Sequence, residues 1–597
     1  MSQFLLSKNK GEEKYSNSEG YRSEQAKTKV FDLDWCRLSF SWFEKNNFNP
    51  VYEDQQNSFF CNGILYIEEQ RIDKNWQKVA SVWGTSDSSG IKKLNGFGNL
   101  LVYSKSERLI YIITSRMGFL PIYFGKSTDD KDKRALGTHP DEIASFLGRN
   151  KLDKLSIAEF ISTSCIAAPH TYYENIKQLE PASIYTFDGD ELIRKKVYWE
   201  PNLDHNDFAD SEESAKLIAD FIKESVNKRI SNNGKGLLLL SGGLDSRSVL
   251  FAPDNPSEML EAVTFYNEPN TELRLASELA NKADVKHHHL QREYDYYGKL
   301  AVDAIKLTGG MWNFGCFHTS GFNRELSELN HGILLSGMYF DTFFKGFAFD
   351  KENLHKKLTG KIYKRYPAQD VYWDTKGADD LKREWREAIH MRRVESYGYD
   401  KISRDELTPQ ILNKVKYSRI GNMARIRSGG MDIALYRSQY YDMVISDNKF
   451  SGVFSFLNPL DEVKADFMES IIKQLTNEPL SVADSNQLNS EFVSNNYYLT
   501  AARNILRKRI RKISPVQNKS ADIAMGSSWI DWYTYRQESE LISQLWKECE
   551  QDETACEAVE QIMDYNPFFL EPDYSSSKYD FLNLLTVGLW LKYGYVN

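Results

Sequence analysis

The segment from Ser241 to Ser246, with the sequence SGGLDS, has the residue types and spacing to bind phosphate. Its glycines allow a tight turn in which backbone N–H groups point at an anion, and a helix that begins near Asp245 would add favourable partial charge. Ser241 and Ser246 can add hydroxyl donors. Asp245 can approach phosphate only through a cation, so it is a candidate Mg²⁺ ligand. The spacing excludes the ordinary P-loop, and the alternative is a glycine turn with Asp245 as a helix cap.

Buried strands alternate with helices around this segment. The predicted strands are 236–240, 262–267 and 332–337, and the predicted helices are 214–230 and 272–283. This alternation is typical of a parallel sheet with helices on its faces, so we expect an α/β domain over residues 206–597. Beyond about residue 350 the chain is mostly helical and rich in aromatic residues.

Residues 1–205 have a β-rich texture and are predicted to form a separate domain. Strands are predicted at 59–69, 100–105 and 108–116, and a helix is predicted at 138–148 with Thr138 as its N-cap and Gly148 as its stop. Residues 1–28 are polar, and we expect no strand at the N-terminus. The polar, acidic stretch 200–213 is interpreted as the linker between the two domains.

Composition and charge limit the classes of function. The chain has 597 residues, 41% of them hydrophobic and 27% charged, which predicts a globular protein of at least two domains. Its net charge of −9 argues against a nucleic-acid partner, and no apolar run approaches the roughly 20 residues that span a bilayer. No signal peptide is recognisable, and the six cysteines lack CxxC spacing. We therefore expect a cytoplasmic protein with no membrane partner.

Several stretches, taken in chain order, resemble the asparagine synthetase superfamily. SGGLDS after LLLL is similar to the pyrophosphatase loop of ATP-pyrophosphatases, LLSGMYFDTFFKG (334–346) is similar to the family's SGEGADELFGG, and RSQYYD (437–442) keeps the spacing of RxPFxD. In the N-terminal half, NGILYIEE, NGFGNLLVYS, SRMGFLPIYFG and THPDEIASFLG resemble class II glutaminase domains. The resemblance covers about residues 55–530.

The resemblance implies an αββα sandwich of the Ntn-hydrolase type, followed by an ATP-pyrophosphatase domain of the adenine nucleotide α-hydrolase type, with ATP and Mg²⁺ as cofactors. It implies adenylation of a substrate carboxylate, release of pyrophosphate, and displacement of AMP by an amine or ammonia. By the same resemblance, ATP would contact Leu240, Ser241, Gly242, Gly243, Asp245, Ser246, Phe265, Ser336 and Gly337. Asp245 and Asp341 would hold the metal, and Lys519 and Arg437 would be catalytic; an ordinary surface lysine is the alternative for Lys519.

Other positions depart from the family. A class II glutaminase needs cysteine as residue 2, where this chain has Ser2, and the family's NGE motif is Asn62-Gly63-Ile64 here. We therefore expect an inactive glutaminase domain, as in β-lactam synthetases and lasso peptide cyclases. Met338 replaces the glutamate of SGEGADE, and Leu435 replaces the glutamate two residues before the RxPFxD arginine, so neither familiar proton-transfer group is present.

Three classes of function remain open. The first is an amide-forming ligase that joins a small-molecule or peptide carboxylate to an amine or ammonia; the second is a scaffold on a decayed synthetase fold; the third is an enzyme that modifies RNA. We expect the first, because SGGLDS and Asp341 are both retained. The identity of the substrates, an intramolecular or intermolecular reaction, and a homodimer are left open.

Two further features have simpler interpretations. Residues 287–289 are three histidines, which are predicted to form a strand cluster because alternate residues of a strand face opposite sides. The basic run 503–512 is predicted to be the solvated face of a helix.

Overall fold

The structure, a computed structural model, describes most of the chain. The described residues are 3–8, 26–84, 90–130, 133–148, 150–189, 191–205, 207–345, 350–351, 365–366, 381–398, 408–422, 429–462, 467–476, 530, 532–569 and 578–595. They form a mixed α/β fold, with antiparallel sheets in the N-terminal part and a parallel sheet in the second part. Among these residues, no helix is both long enough and apolar enough to cross a membrane.

The described residues of the N-terminal part form two antiparallel sheets and three α-helices. Its strands are β1 (Gln3–Lys8), β2 (Lys27–Leu33), β3 (Cys36–Trp42), β4 (Val51–Glu53), β5 (Asn57–Ile67), β6 (Gln70–Arg71), β7 (Asn95–Ser104), β8 (Leu109–Ile113), β9 (Tyr123–Lys126), β10 (Arg134–Gly137), β11 (Ile176–Gln178), β12 (Ser183–Asp188) and β13 (Glu191–Val197). Its helices are α1 (Trp76–Trp83), α2 (Pro140–Leu147) and α3 (Lys154–Thr163). The strand orders are β11-β9-β10-β1-β3-β2 and β13-β12-β8-β7-β5-β4, and β6 pairs with β5.

A hydrophobic core lies between these two sheets. It contains apolar side chains from both, such as Phe4 of the six-stranded sheet and Phe60 and Leu101 of the seven-stranded sheet. Helix α2 packs on β9 and β10, and α1 packs on β5 through Trp76 and Phe59, whose ring centroids are 6.2 Å apart. With a helix on each outer face, this is the αββα sandwich that the resemblance implies.

The expectation of no strand at the N-terminus is wrong. Strand β1 lies inside its sheet, paired with β10 on one side and β3 on the other. Its apolar residues Phe4, Leu5 and Leu6 are buried, yet three such residues in a row show no period that would identify a strand. The strand forms because segments far along the chain supply its hydrogen-bond partners.

The second part contains the remaining elements. Its strands are β14 (Gly236–Leu239), β15 (Leu260–Tyr266), β16 (His287–Gln291), β17 (Ile333–Ser336), β18 (Asp350–Lys351), β19 (Arg365–Tyr366) and β20 (Tyr441–Met443). Its helices are α4 (Ser211–Asn233), α5 (Leu244–Leu250), α6 (Pro256–Met259), α7 (Thr271–Lys282), α8 (Tyr296–Thr308), α9 (Asn323–Glu328), α10 (Phe340–Phe344), α11 (Arg383–Tyr397), α12 (Pro409–Asn422), α13 (Gly429–Ser438), α14 (Asn448–Ser451), α15 (Phe467–Thr476), α16 (Trp532–Glu538), α17 (Glu540–Glu550), α18 (Glu553–Glu560) and α19 (Lys578–Tyr593). The parallel sheet has the order β16-β15-β14-β17-β20, which confirms the predicted α/β fold.

Two element ends differ from their predictions. Helix α2 begins at Pro140 with His139 as its N-cap, so the prediction of Thr138 is wrong, although Gly148 does end the helix. The predicted linker overlaps α4, because Asp210 caps that helix by accepting two N–H groups of its first turn. The assignment of residues 1–205 and 206–597 to two domains stays a prediction.

The order of the parallel strands positions the candidate site. From β14 the chain passes to β15 and β16 on one side and then returns to β17 on the other side. The connections therefore change side at the carboxyl end of β14. In open α/β sheets, ligands bind in the crevice at this point. The SGGLDS segment follows β14 directly.

The last described helix, α19, packs against the N-terminal part. Asn583 Nδ2 donates to the Ile161 carbonyl at 2.9 Å, and the rings of Tyr172 and Trp590 are stacked with centroids 4.3 Å apart. Trp590 Nε1 also donates to Asp141 Oδ2 at 3.2 Å. Helix α19 is therefore joined to the N-terminal part through buried side chains.

Candidate nucleotide-binding site

The loop after β14 has the strand–turn–helix form that the sequence predicts. The Ser241 N–H donates to Ser246 Oγ at 3.1 Å, the Gly243 N–H donates to Ser241 Oγ at 3.2 Å, and the two Oγ atoms are 3.0 Å apart. The serine hydroxyls therefore stabilise the turn itself. Helix α5 begins at Leu244 with Gly243 as its N-cap, so Asp245 is not the cap that the alternative interpretation assumes.

A second loop, which follows β17, packs directly against this turn. A Cβ atom on Gly337 would lie 2.5 Å from the backbone O of Asp245 and 2.9 Å from the backbone N of Ser246. Glycine is needed at this position because the two backbones approach each other too closely for any side chain. The motifs that the resemblance singled out, almost a hundred positions apart, are therefore in contact.

An ion pair spans the contact between the two loops. Lys345 Nζ lies 2.8 Å from Asp245 Oδ1. Asp341 lies in the first turn of α10, where its Oδ1 accepts the Thr342 N–H at 2.7 Å. The sequence interpretation missed Lys345, although a signal exists: Lys345 occupies the first glycine position of the GG that ends the family's SGEGADELFGG.

A buried chain of hydrogen bonds lies behind Ser336. Ser336 Oγ is 2.6 Å from Tyr441 Oη, which donates to Asp432 Oδ1 at 2.5 Å. Asp432 is 1% exposed, and burial raises the pKa of its carboxyl to about 7. These hydrogen bonds join β17, β20 and α13. Tyr441, the second tyrosine of RSQYYD, therefore helps to hold the end of β17, from which the second loop departs.

The raised pKa of Asp432 leads us to expect that the free energy of unfolding depends on pH. Its carboxyl holds a proton up to about pH 7 in the folded chain but only to about pH 4 in the unfolded chain. Because the folded state binds more protons in this interval, the contribution of Asp432 to the free energy of unfolding should fall as the pH rises, by up to about 1.4 kcal/mol per pH unit. Asp432→Asn keeps an acceptor for Tyr441 without titrating, so urea unfolding at several pH values should show a flatter slope. The exposed Asp303→Asn is the control, and an equal slope in both variants would contradict this assignment.

Phe265, one of the predicted ATP contacts, lies on β15. Phe265 is 8% exposed, and its ring centroid lies 5.2 Å from that of Phe322. Thr264 Oγ1 donates to the Leu240 carbonyl at 2.7 Å, which joins β15 to the residue directly before the SGGLDS turn. Contact of Leu240 or Phe265 with a nucleotide stays a prediction.

The three histidines of β16 alternate as predicted. His287 Nδ1 and His289 Nε2 lie 3.1 Å apart on one side, whereas His288 Nε2 lies 2.6 Å from Glu261 Oε2. Burial lowers the pKa of His287 to about 4, so its ring is neutral at pH 7. Within the described ranges, no group of three or more metal-binding side chains comes together.

Arg437 contacts the N-terminal part. Its side chain is buried, and its guanidinium donates to the backbone carbonyls of Thr138 and Leu307. These bonds hold the end of α13 between α8 and the N-terminal sandwich. A catalytic role for Arg437 stays a prediction. Lys519 and the basic run 503–512 lie outside the described residues.

The residues that resemble a glutaminase site are buried against the second part. Asn62 is fully buried; its Nδ2 donates to Tyr436 Oη at 2.6 Å, and its Oδ1 accepts from Asn99 at 3.1 Å. The neighbouring Cys61 is internal to the sequence, where a class II glutaminase needs a terminal cysteine; it lies inside β5, and burial raises the pKa of its thiol, which disfavours the nucleophilic thiolate. Ser2 lies outside the described residues.

Comparisons with known proteins agree with this two-part architecture. The glutamine amidotransferase domain family matches residues 77–199, and the asparagine synthase family matches residues 217–443. No curated protein matches the chain.

Among solved structures, one that is similar is glutamine phosphoribosylpyrophosphate (PRPP) amidotransferase from B. subtilis, complexed with ADP and GMP. It shares 7% sequence identity with a TM-score of 0.22, and the similarity covers 48% of this chain and 65% of that chain. The present chain thus spans less than two thirds of the length of that relative. Together and in this order, the glutamine amidotransferase and asparagine synthase domains fit the asparagine synthetase superfamily.

Proposed function

We propose that this chain is an ATP-dependent ligase that forms an amide bond and has no glutaminase activity of its own. A substrate carboxylate would attack the α-phosphorus of ATP, pyrophosphate would leave, and an amine or ammonia would then displace AMP. The observation that carries the proposal is the contact between the loops after β14 and β17, which brings Asp245 and Lys345 together at the carboxyl edge of the parallel sheet. Ligands of open α/β sheets bind at this edge.

The side chains at this edge fit a magnesium nucleotide. Asp245 and Asp341 would hold Mg²⁺, which prefers carboxylate and phosphate oxygens. The ion would neutralise charge on the phosphates when it is bound. The fit is supported by the ammonium of Lys345, because this cation already lies 2.8 Å from Asp245 Oδ1 and shows that the position attracts positive charge.

The protein's own residues would present a preformed loop to the phosphates. Bonds among Ser241, Gly243 and Ser246 hold the turn, and the buried Arg247 donates from Nη2 to the Gly242 carbonyl at 3.1 Å from behind it. A loop that is already ordered loses less conformational entropy when a ligand binds. We therefore infer that Ser241, Gly243, Ser246 and Arg247 hold the loop in the shape that binds pyrophosphate.

The N-terminal part would not supply ammonia. The amide of Asn62 is engaged by Tyr436 and Asn99 in the contact between the two parts, and position 64 is an isoleucine where the family has a glutamate. The second substrate would therefore be an amine or ammonia from solution.

A scaffold without catalysis is the second candidate function. Met338 and Leu435 favour it, because neither side chain can transfer a proton where the family has glutamates, and Leu435 is packed in the core. The charged pair at the sheet edge argues for the enzyme, because a protein that only binds a partner has no need of it there.

Mg²⁺-dependent ATP binding, measured by calorimetry, tests the ligase proposal. We expect wild type to bind, and the Asp245→Asn/Asp341→Asn variant to lose affinity by at least about a hundredfold, since two carboxylates are removed. The Asp254→Asn/Asp303→Asn variant makes the same change of charge at two exposed positions and serves as the control. Unaltered binding in the first variant would overturn the metal assignment. No binding by wild type, with or without carboxylic acids, would favour the scaffold.

The same protein preparation, incubated with glutamine, tests the proposal that the chain has no glutaminase activity. It is expected to release no glutamate above uncatalysed hydrolysis, with or without Mg–ATP. Glutamate release that disappears in Ser2→Ala would show a working glutaminase.

A further inference from the structure

We propose that Lys345 is a phosphate-binding residue whose ammonium leaves Asp245 and pairs with phosphate when the nucleotide binds. In the structure its ammonium compensates the carboxylate of Asp245. We infer that phosphate oxygens of ATP, and then of the departing pyrophosphate, take over this ammonium. The inference rests on the proposed ATP-dependent reaction and adds a binding residue at a position where the family motif has only glycine.

Helix geometry directs Lys345 towards the phosphate loop. Lys345 directly follows α10, and its N–H donates to the Asp341 carbonyl at 3.0 Å. Residues four positions apart on a helical turn lie on the same face. Lys345 therefore shares a face with the predicted metal ligand Asp341, and its side chain reaches Asp245 on the opposite loop.

The burial of this pair is intermediate, unlike that of an ordinary surface pair. The side chains of Lys345 and Asp245 are 16% and 27% exposed, whereas those of the surface pair Arg324–Glu328 are 86% and 62% exposed. Partial burial strengthens the attraction between charges because less water screens them. The remaining exposure leaves both groups accessible to an anion and a cation from solution.

A lysine side chain is suited to serve two partners in turn. Its ammonium is a compact charge with three donors on a flexible four-carbon stem. Ammonium groups also bind phosphate as point charges, without the planar geometry that a guanidinium imposes. Rotation about the stem would carry Nζ from carboxylate to phosphate without movement of α10.

The exchange implies competition for Asp245. While the ammonium pairs with this carboxylate, a divalent cation must displace it to bind. Phosphate oxygens that draw the ammonium away would remove the competitor, so nucleotide and divalent cation should increase each other's affinity. Loss of the ammonium should therefore tighten Mg²⁺ binding in the absence of nucleotide and weaken phosphate binding, whereas a Lys345 that only stabilises the two loops would not produce both changes.

Calorimetry of the full chain with inorganic pyrophosphate, Mg–ATP and Mg²⁺ alone tests the inference. Lys345→Met is expected to weaken pyrophosphate binding by at least about tenfold, and Lys345→Arg, which keeps the charge, by less than about threefold. Lys345→Met should also lower the Mg²⁺ concentration that half-saturates the protein in the absence of nucleotide. Lys299→Met, which removes an exposed lysine paired with Glu293, is the control and should change neither value. Lys345→Gln replaces Lys345→Met if the latter fails to fold.

The outcomes separate this inference from the proposed function. Unaltered pyrophosphate affinity in Lys345→Met, with wild type binding Mg–ATP, would overturn the inference and leave the ligase proposal in place. Wild-type protein that binds neither pyrophosphate nor Mg–ATP would overturn both. Weaker pyrophosphate binding together with tighter Mg²⁺ binding in Lys345→Met would support the exchange.

Discussion

Replacement of Arg229 by methionine is expected to lower the free energy of unfolding by about 3–5 kcal/mol, the usual cost of breaking a buried ion pair. Arg229 lies on α4 and is fully buried, and its Nε is 3.1 Å from Asp442 Oδ2. Its Nη2 donates to the Met443 carbonyl at 3.0 Å and to Ser446 Oγ at 2.9 Å. Methionine has a similar reach but no donors, so the carboxylate of Asp442 would remain buried without its cation.

The effect should extend to both parts of the chain. Tyr66, on β5 of the N-terminal sandwich, donates to Asp442 Oδ2 at 3.0 Å, and the Arg229 guanidinium lies 5.6 Å from the centre of the Tyr66 ring. Arg229 thus links α4, β20 and the N-terminal sheet. Urea unfolding, followed by far-ultraviolet circular dichroism and by tryptophan fluorescence, measures the loss.

Two variants show the origin of this loss. Arg229→Met/Asp442→Leu should be more stable than Arg229→Met alone, because it leaves no unpaired buried charge. Arg324→Met removes an exposed arginine from its pair with Glu328 and should leave the unfolding curve unchanged. Wild-type stability in Arg229→Met would contradict a charged pair between Arg229 and Asp442.

The second large effect is expected at the contact between the two loops of the nucleotide site. Gly337→Ala would place Cβ 2.5 Å from the Asp245 carbonyl O and 2.6 Å from its carbonyl C. Both are backbone atoms, so the loops must move apart, at a cost of about 1–3 kcal/mol. Asp245 and Asp341 would then be displaced from each other, and we expect Mg–ATP affinity to fall by at least about tenfold, the equivalent of about 1.4 kcal/mol.

Calorimetry of Gly337→Ala beside Gly421→Ala measures this effect against a matched control. Gly421 lies on α12, and apart from the nearby backbone of this helix and the two neighbouring residues, no described atom lies within 4 Å of the position that an added methyl group would occupy. Alanine there should leave binding unaltered and stabilise the helix slightly, since alanine favours helix more than glycine does. If Gly337→Ala binds Mg–ATP as tightly as wild type, the loop contact is not part of a nucleotide site.

Much of the turn formed by SGGLDS could be predicted because its signals are local. Residues 236–240 are apolar without interruption, as expected for a strand covered on both faces, and the structure places β14 there. Two glycines then mark the turn, and α5 begins within one residue of the predicted position near Asp245. The same reasoning located β15 and β17 from their apolar runs and α7 from apolar residues at helical spacing.

The partners of the charged and polar side chains could not be predicted in this way. Asn62 and Tyr436 are 374 positions apart, yet a hydrogen bond joins their side chains and engages the amide of Asn62. Nothing next to Lys345 in the sequence indicates a partner, and only the fold of α10 places its ammonium against Asp245. Arg437, expected to be catalytic from its motif, donates to the backbone carbonyls of Leu307 on α8 and of Thr138 before α2.

The amino-acid sequence by itself therefore determined the strand–turn–helix of SGGLDS, the parallel sheet around it and the departures at Met338 and Leu435. Only the tertiary structure decided that β1 is a strand, that Gly337 packs on Asp245 and that Lys345 compensates this carboxylate. The physical reason is the distance along the sequence over which each kind of interaction acts. Turn and strand preferences depend on neighbouring residues, whereas hydrogen bonds and ion pairs depend on distances of a few ångströms between atoms that only the folded chain brings together.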